Sequence, residues 1–138
     1  MNTKKLILSA LAGGVVYFLL GFLCYAILLE GFFSGHIAPG VMKTDAQMKY
    51  YPLIMGNFAH GALMAFIFLK WTSIKSFGEG LTWGAVIGFL MASGFDLVLY
   101  DTAKVMSIIG TAADIVVYAL ISAAVGGVVG LTIGKLKD

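Results

Sequence analysis

The chain has 138 residues, of which 60% are hydrophobic and only 12% charged, with a mean hydropathy of +0.97, a balance that excludes an ordinary soluble domain. Its net charge of +2 is too small to argue for a nucleic-acid partner, and a single cysteine, Cys24, excludes a disulfide framework and a thiolate metal site. The bilayer is the expected partner. Its backbone polar groups must then be satisfied inside helices.

The N-terminus, MNTKKLILSALAGG, has the outline of a signal peptide, but only Leu6 to Ser9 separate Lys5 from the small residues Ala10 and Ala12. That is shorter than the roughly 7 to 15 residues of a signal core. An uncleaved first span, about residues 6–29, is therefore expected. Glu30 to Pro52 follows as a longer loop broken by Gly31, Gly35, Pro39 and Gly40, and Thr44 to Gln47 matches a capping box. A short interfacial helix ending at Pro52 is expected there.

Three further apolar segments, about 53–71, 81–100 and 105–133, approach or exceed the roughly 20 residues needed to cross ~30 Å of hydrocarbon. The fold class is all-α, a four-helix transmembrane bundle in one domain over residues 1–138. Because the connections at Thr72 to Gly80 and Asp101 to Lys104 are short, the second, third and fourth spans are expected to be antiparallel neighbours.

The chain has no arginine, so lysine sets the orientation. Lys4, Lys5, Lys70, Lys75, Lys135 and Lys137 share one side, against Lys43, Lys49 and Lys104 on the other. The excess predicts both termini in the cytoplasm. Trp71, Trp83, Tyr50 and Tyr51 fall where aromatic belts are expected.

In the third span Gly84, Gly88, Ala92, Asp96 and Tyr100 recur every fourth residue, and the fourth repeats the spacing with Gly110, Asp114, Tyr118, Ser122, Gly126, Gly130 and Gly134. Such stripes let helices approach closely. Gly84, Gly88, Gly126, Gly130 and Gly134 are the packing candidates. The polar residues fall in the outer half: at ~1.5 Å per residue, Asp96 lies about 7 Å deep, Asp114 about 12 Å, Asn57 about 6 Å, His60 about 10 Å and Tyr25 about 7 Å. With Tyr100 and Tyr118 these residues define an expected outward-facing pocket that binds a substrate or ion, above a glycine-rich inner end. An acid facing lipid at mid-membrane costs about 2.5–3.5 kcal/mol, which favours a cavity or partner around Asp96.

His60 has two readings: a polar group bonding across helices, to Asp96 or Asp114 among others, or a member of a proton relay. No cofactor or metal is expected. The other histidine, His36, falls in the outer loop rather than facing His60 across a haem, and one histidine with two acids is too few ligands for zinc or a di-metal centre. The Gly-x-Gly-Asp motif of intramembrane aspartyl proteases is missing. So are a Walker loop, a dinucleotide fingerprint and a Ser-His-Asp set. The signature of fluoride channels is absent, and the membrane glutamate of small dimeric exporters has no counterpart, since Glu30 ends the first segment.

Helix one, GGVVYFLLGFLCYAILLEGFF, resembles the opening of the bacterial domain-of-unknown-function 1761 family, with Gly21, Tyr25, Gly31 and Phe32 at matching positions and Cys24 where that family has tryptophan. The resemblance covers about the first quarter of the chain. It implies a bacterial cytoplasmic-membrane protein of four spans and no particular activity. Three functions are consistent with the sequence. One is a cation- or proton-linked transporter or channel-like protein, as a homo-oligomer or in a larger membrane complex. Another is an accessory or structural subunit binding a protein or lipid. The third is an enzyme on a lipid or quinone, for which the sequence offers no catalytic set.

Overall fold

The computed structural model describes residues 1–137. Four helices are long and apolar enough to cross a membrane: Thr3–Leu28, Tyr51–Trp71, Phe77–Thr102 and Ile108–Lys135. The protein is an all-α, multi-pass membrane bundle. The first span begins as α1, Thr3–Gly21, and finishes as a π-helical segment, Phe22–Leu28, in which the Leu29 N–H donates to the Cys24 carbonyl five residues back at 2.8 Å. A short helix α2, Glu30–Ser34, follows. The remaining spans are α3 (Tyr51–Trp71), α4 (Phe77–Thr102) and α5 (Ile108–Lys135).

Local chemistry fixes the helix starts. The Asn2 side chain accepts from the Lys4 and Lys5 N–H groups, Ser76 from Glu79 N–H, and Ser107 from Gly110 N–H, each satisfying donors that the first helical turn leaves without a partner. These caps explain why α1 starts before residue 6, α4 before residue 81, and α5 after residue 105.

The loop before α3 differs from expectation. Its Thr44 capping box opens only a 3-10 turn, Asp45–Gln47. Pro52 ends no surface helix; it sits in the first turn of α3, where its missing N–H is tolerated. Between them Tyr50 has φ +59°, with Tyr51 N–H donating to the Lys49 carbonyl at 2.7 Å. This is a strained γ-turn.

The order of neighbours also differs. α5 is the central helix: half of its most apolar stretch is buried in the protein, against 22% or less for the other three spans. α4 packs along α5, α1 packs along α3, and α1 with α5 joins the two pairs. α3 and α4 therefore lie on opposite sides of α5 despite their short connection. The connection achieves this by crossing beneath α5. A methyl on Gly134 would strike the Lys75 carbonyl oxygen, one on Gly130 would meet Ser76 oxygen at 2.5 Å, and Ile74 is buried in the core.

Glycines set the helix separations. A Cβ on Gly80 would hit the Gly126 carbonyl, one on Gly84 the Ser122 carbonyl, and one on Gly88 the Ser122 side chain. On the other side Gly61 of α3 meets the α1 backbone at Ala10 and Gly14. Backbone-to-backbone approach of this kind gives dispersion contact that side chains would hold apart. Met64, Phe68, Val125 and Val129 fill the interior between these crossings.

Candidate functional site

The polar side chains form a seam between α1, α3, α4 and α5, running from the bundle's middle toward the end that carries the loops. At its deep end the buried Tyr17 hydroxyl shares a 2.8 Å hydrogen bond with Ser122 Oγ, and Ser122 is fully buried. Next to it the Tyr118 hydroxyl shares a 3.0 Å hydrogen bond with His60 Nδ1. The rings of Tyr17 and Tyr118 stack at 5.8 Å, and His60 meets both edge-on, at 5.7 Å and 5.9 Å.

One turn nearer the loops stand the carboxyls. Asp114, four residues before Tyr118, lies one turn away on the same face of α5. Asp96 of α4 is within side-chain reach of Asp114, and so is Tyr25 from the π-helical segment. The Tyr25 ring is backed by Phe33 of α2 at 5.3 Å. Among the described residues Asp96 Oδ2 is buried without a hydrogen-bond partner. Every lysine lies outside this part of the bundle, at the helix ends or in the loops. Two carboxyls in reach of each other with no cation nearby cannot both carry a charge at low cost.

The structure thus brings Asp96, Asp114, Tyr25, Tyr118 and His60 into one seam, leaves Asn57 outside it and puts Tyr100 at its loop-end rim. Asn57 turns back on its own helix, its Nδ2 donating to the Leu53 carbonyl at 2.8 Å. A membrane helix satisfies an amide most simply this way when no partner stands opposite. Tyr100 is exposed and lines both the loop-end groove and the small cavity beside Asp96. His60 pairs with Tyr118 of α5 and not with Asp96, because α3 packs on α1 and lies across α5 from α4.

Tyr17 was missed. Its signal was the same four-residue spacing, since Lys5, Ser9, Gly13, Tyr17, Gly21 and Tyr25 repeat on the first span the design of the other stripes, and the first four of them are buried. Among the described residues no group of three or more His, Cys, Asp or Glu side chains is arranged to hold a metal ion. Comparison with family models, curated proteins and solved structures gives no match.

Beyond the carboxyls the loops close the bundle. Ile37 and Met106 form an antiparallel bridge, flanked by Ala38 N–H to Val105 oxygen and Ser107 N–H to His36 oxygen, both 2.8 Å. His36 Nδ1 and Ser107 Oγ share a further 2.8 Å bond. A groove of about 890 Å³ lies between residues 35–38 and 100–108. Beneath it a partly open pocket of about 20 Å³ is lined by Asp96, Leu99, Tyr100, Val105, Met106 and Thr111.

Proposed function

We propose that this protein is a small transporter or channel-like protein in which the Asp96–Asp114 pair takes up a proton or a small cation, with the loop end facing outward and both termini in the cytoplasm. The observation that supports it is the carboxyl pair itself, half-buried between apolar helices with one Asp96 oxygen buried and unpartnered. Such a pair shares a proton in its resting state, and releases it or exchanges it for a cation when the surroundings change. The adjoining cavity of about 20 Å³ has room for roughly one water-sized species, which supports the smallest ligands. Tyr118 and His60 extend the hydrogen-bonding seam toward the middle of the membrane, where Tyr17 and Ser122 end it. The setting is the bacterial cytoplasmic membrane, as the lysine distribution and the likeness of the first helix suggest.

The test is flux in proteoliposomes under an imposed pH gradient, with and without sodium or potassium. Wild-type protein should carry proton or cation flux that Asp96→Asn with Asp114→Asn abolishes. Flux that persists in the double variant would refute the role of the pair.

A second reading has one observation in its favour: α4 packs chiefly on α5 and leaves most of its surface uncovered. An oligomer or an accessory subunit of a larger complex would use that flank. A stoichiometric partner retained in purification from native membranes would support the accessory role, and a self-contained monomer would exclude it.

A further inference from the structure

The loop-end groove and the small cavity beside Asp96 share Tyr100, Val105 and Met106, so these three residues form the wall between them. Two of them belong to a strap, and three short hydrogen bonds fasten that strap at its ends. The bonds are Ala38 N–H to Val105 oxygen, Ser107 N–H to His36 oxygen, and His36 to Ser107 side chain. Met106 folds over Gly110, where a Cβ would meet its Cγ at 2.6 Å and the His36 Cβ at 2.8 Å. Glycine at 110 is what lets the strap lie flat on α5.

Behind the wall the chemistry suits a water molecule. The cavity of about 20 Å³ holds roughly one. Asp96 Oδ2 is buried and needs a donor. Thr111 is 2% exposed; its Oγ1 donates to the Ser107 carbonyl at 2.9 Å and keeps its lone pairs free to accept.

We propose that the Val105–Met106 strap is the gate between the loop-end groove and the carboxyl pair, and that Asp96 and Thr111 hold the single water through which the pair exchanges its proton. This rests on reading the pair as a proton site. The charged and titratable groups facing the route are His36, Asp101, Lys104 and Tyr100 on the groove side, and Asp114 with Tyr25 behind Asp96. Thr111 is a positioning residue: it fixes the water rather than taking the proton.

The bridge supplies the experiment. Ile37 and Met106 stand opposite each other between two hydrogen-bonded steps, a pairing whose Cα atoms lie about 4.5 Å apart, within the span a disulfide accepts. Ile37→Cys with Met106→Cys, in a Cys24→Ser background, therefore locks the strap under oxidation. The readout is the rate at which the protonated carboxyl band in the infrared shifts on transfer of proteoliposomes to D₂O, which needs no transport activity. The locked form should exchange at least about tenfold more slowly, because exchange past the strap follows its opening equilibrium, and reductant should restore the rate. Ala38→Pro, which removes one strap donor, should accelerate exchange, and Thr111→Val should slow it with the strap unlocked. Equal exchange in locked, reduced and Ala38→Pro protein would overturn the gate while leaving the proton site standing. A wild-type spectrum with no protonated carboxyl would overturn both.

Discussion

Gly84 and Gly94 lie on the same helix and differ in one respect. A methyl on Gly84 would meet the Ser122 carbonyl oxygen, and Gly126 Cα at 2.9 Å, whereas nothing lies within 4 Å of a methyl on Gly94. Both changes to alanine gain the same helix propensity, about 0.8–1 kcal/mol, so comparing them cancels it and isolates the steric effect. At Gly84 the obstacles are backbone atoms of α5, which cannot rotate away as a side chain can. Relieving a 2.9 Å contact to ordinary separation requires α4 and α5 to part locally by a good fraction of an ångström, and overpacking of this order costs about 1–3 kcal/mol. Gly84→Ala should therefore be about 1–3 kcal/mol less stable than Gly94→Ala, and Gly94→Ala should equal or exceed wild type. Reversible unfolding in mixed micelles, titrated with denaturing detergent, measures the difference directly. Equal stabilities for the two variants would refute the claim that backbone contact through glycine holds α4 against α5.

Other outcomes follow from the same geometry. A double-mutant cycle of Tyr17→Phe and Ser122→Ala should give a coupling near 0.6 kcal/mol and no more than about 1.7, the range for hydrogen bonds inside membrane bundles; zero coupling would remove Tyr17 from the seam. Ser76→Ala should cost about 1 kcal/mol by uncapping α4, while Thr82→Ala, whose hydroxyl only bonds back to Gly78, should change stability little. Reporter fusions should place both termini in the cytoplasm, and cysteines at Lys43 and Lys104 should react with an impermeant reagent added outside; the opposite labelling would invert the proposed orientation.

How much of this was legible in the sequence differs by level. The four spans follow from apolar length alone, and the glycine stripes marked faces suited to close packing without naming the partner, because spacing by four places residues on one helix face whatever the helix meets. Neighbour order was not legible. A short connection usually joins adjacent helices, but residues 72–76 pass under α5, in space that Gly130 and Gly134 leave open, and a stripe does not say whether a helix or a loop will fill it. The pairing of His60 with Tyr118 depends on that order and was hidden with it. The π-helical turn that carries Tyr25 toward Asp114 has no signature in Phe22–Leu28, since one extra residue per turn changes neither composition nor hydropathy. Tyr17 was legible, one step along a stripe that began at Lys5.

The most direct measurement is infrared difference spectroscopy of the reconstituted protein at neutral pH, comparing wild type with Asp96→Asn plus Asp114→Asn. One protonated carboxyl, present in the wild type and lost in the double variant, is the expected result. Two ionised aspartates in the wild type, or a protonated band that survives their replacement, would contradict a shared proton between α4 and α5.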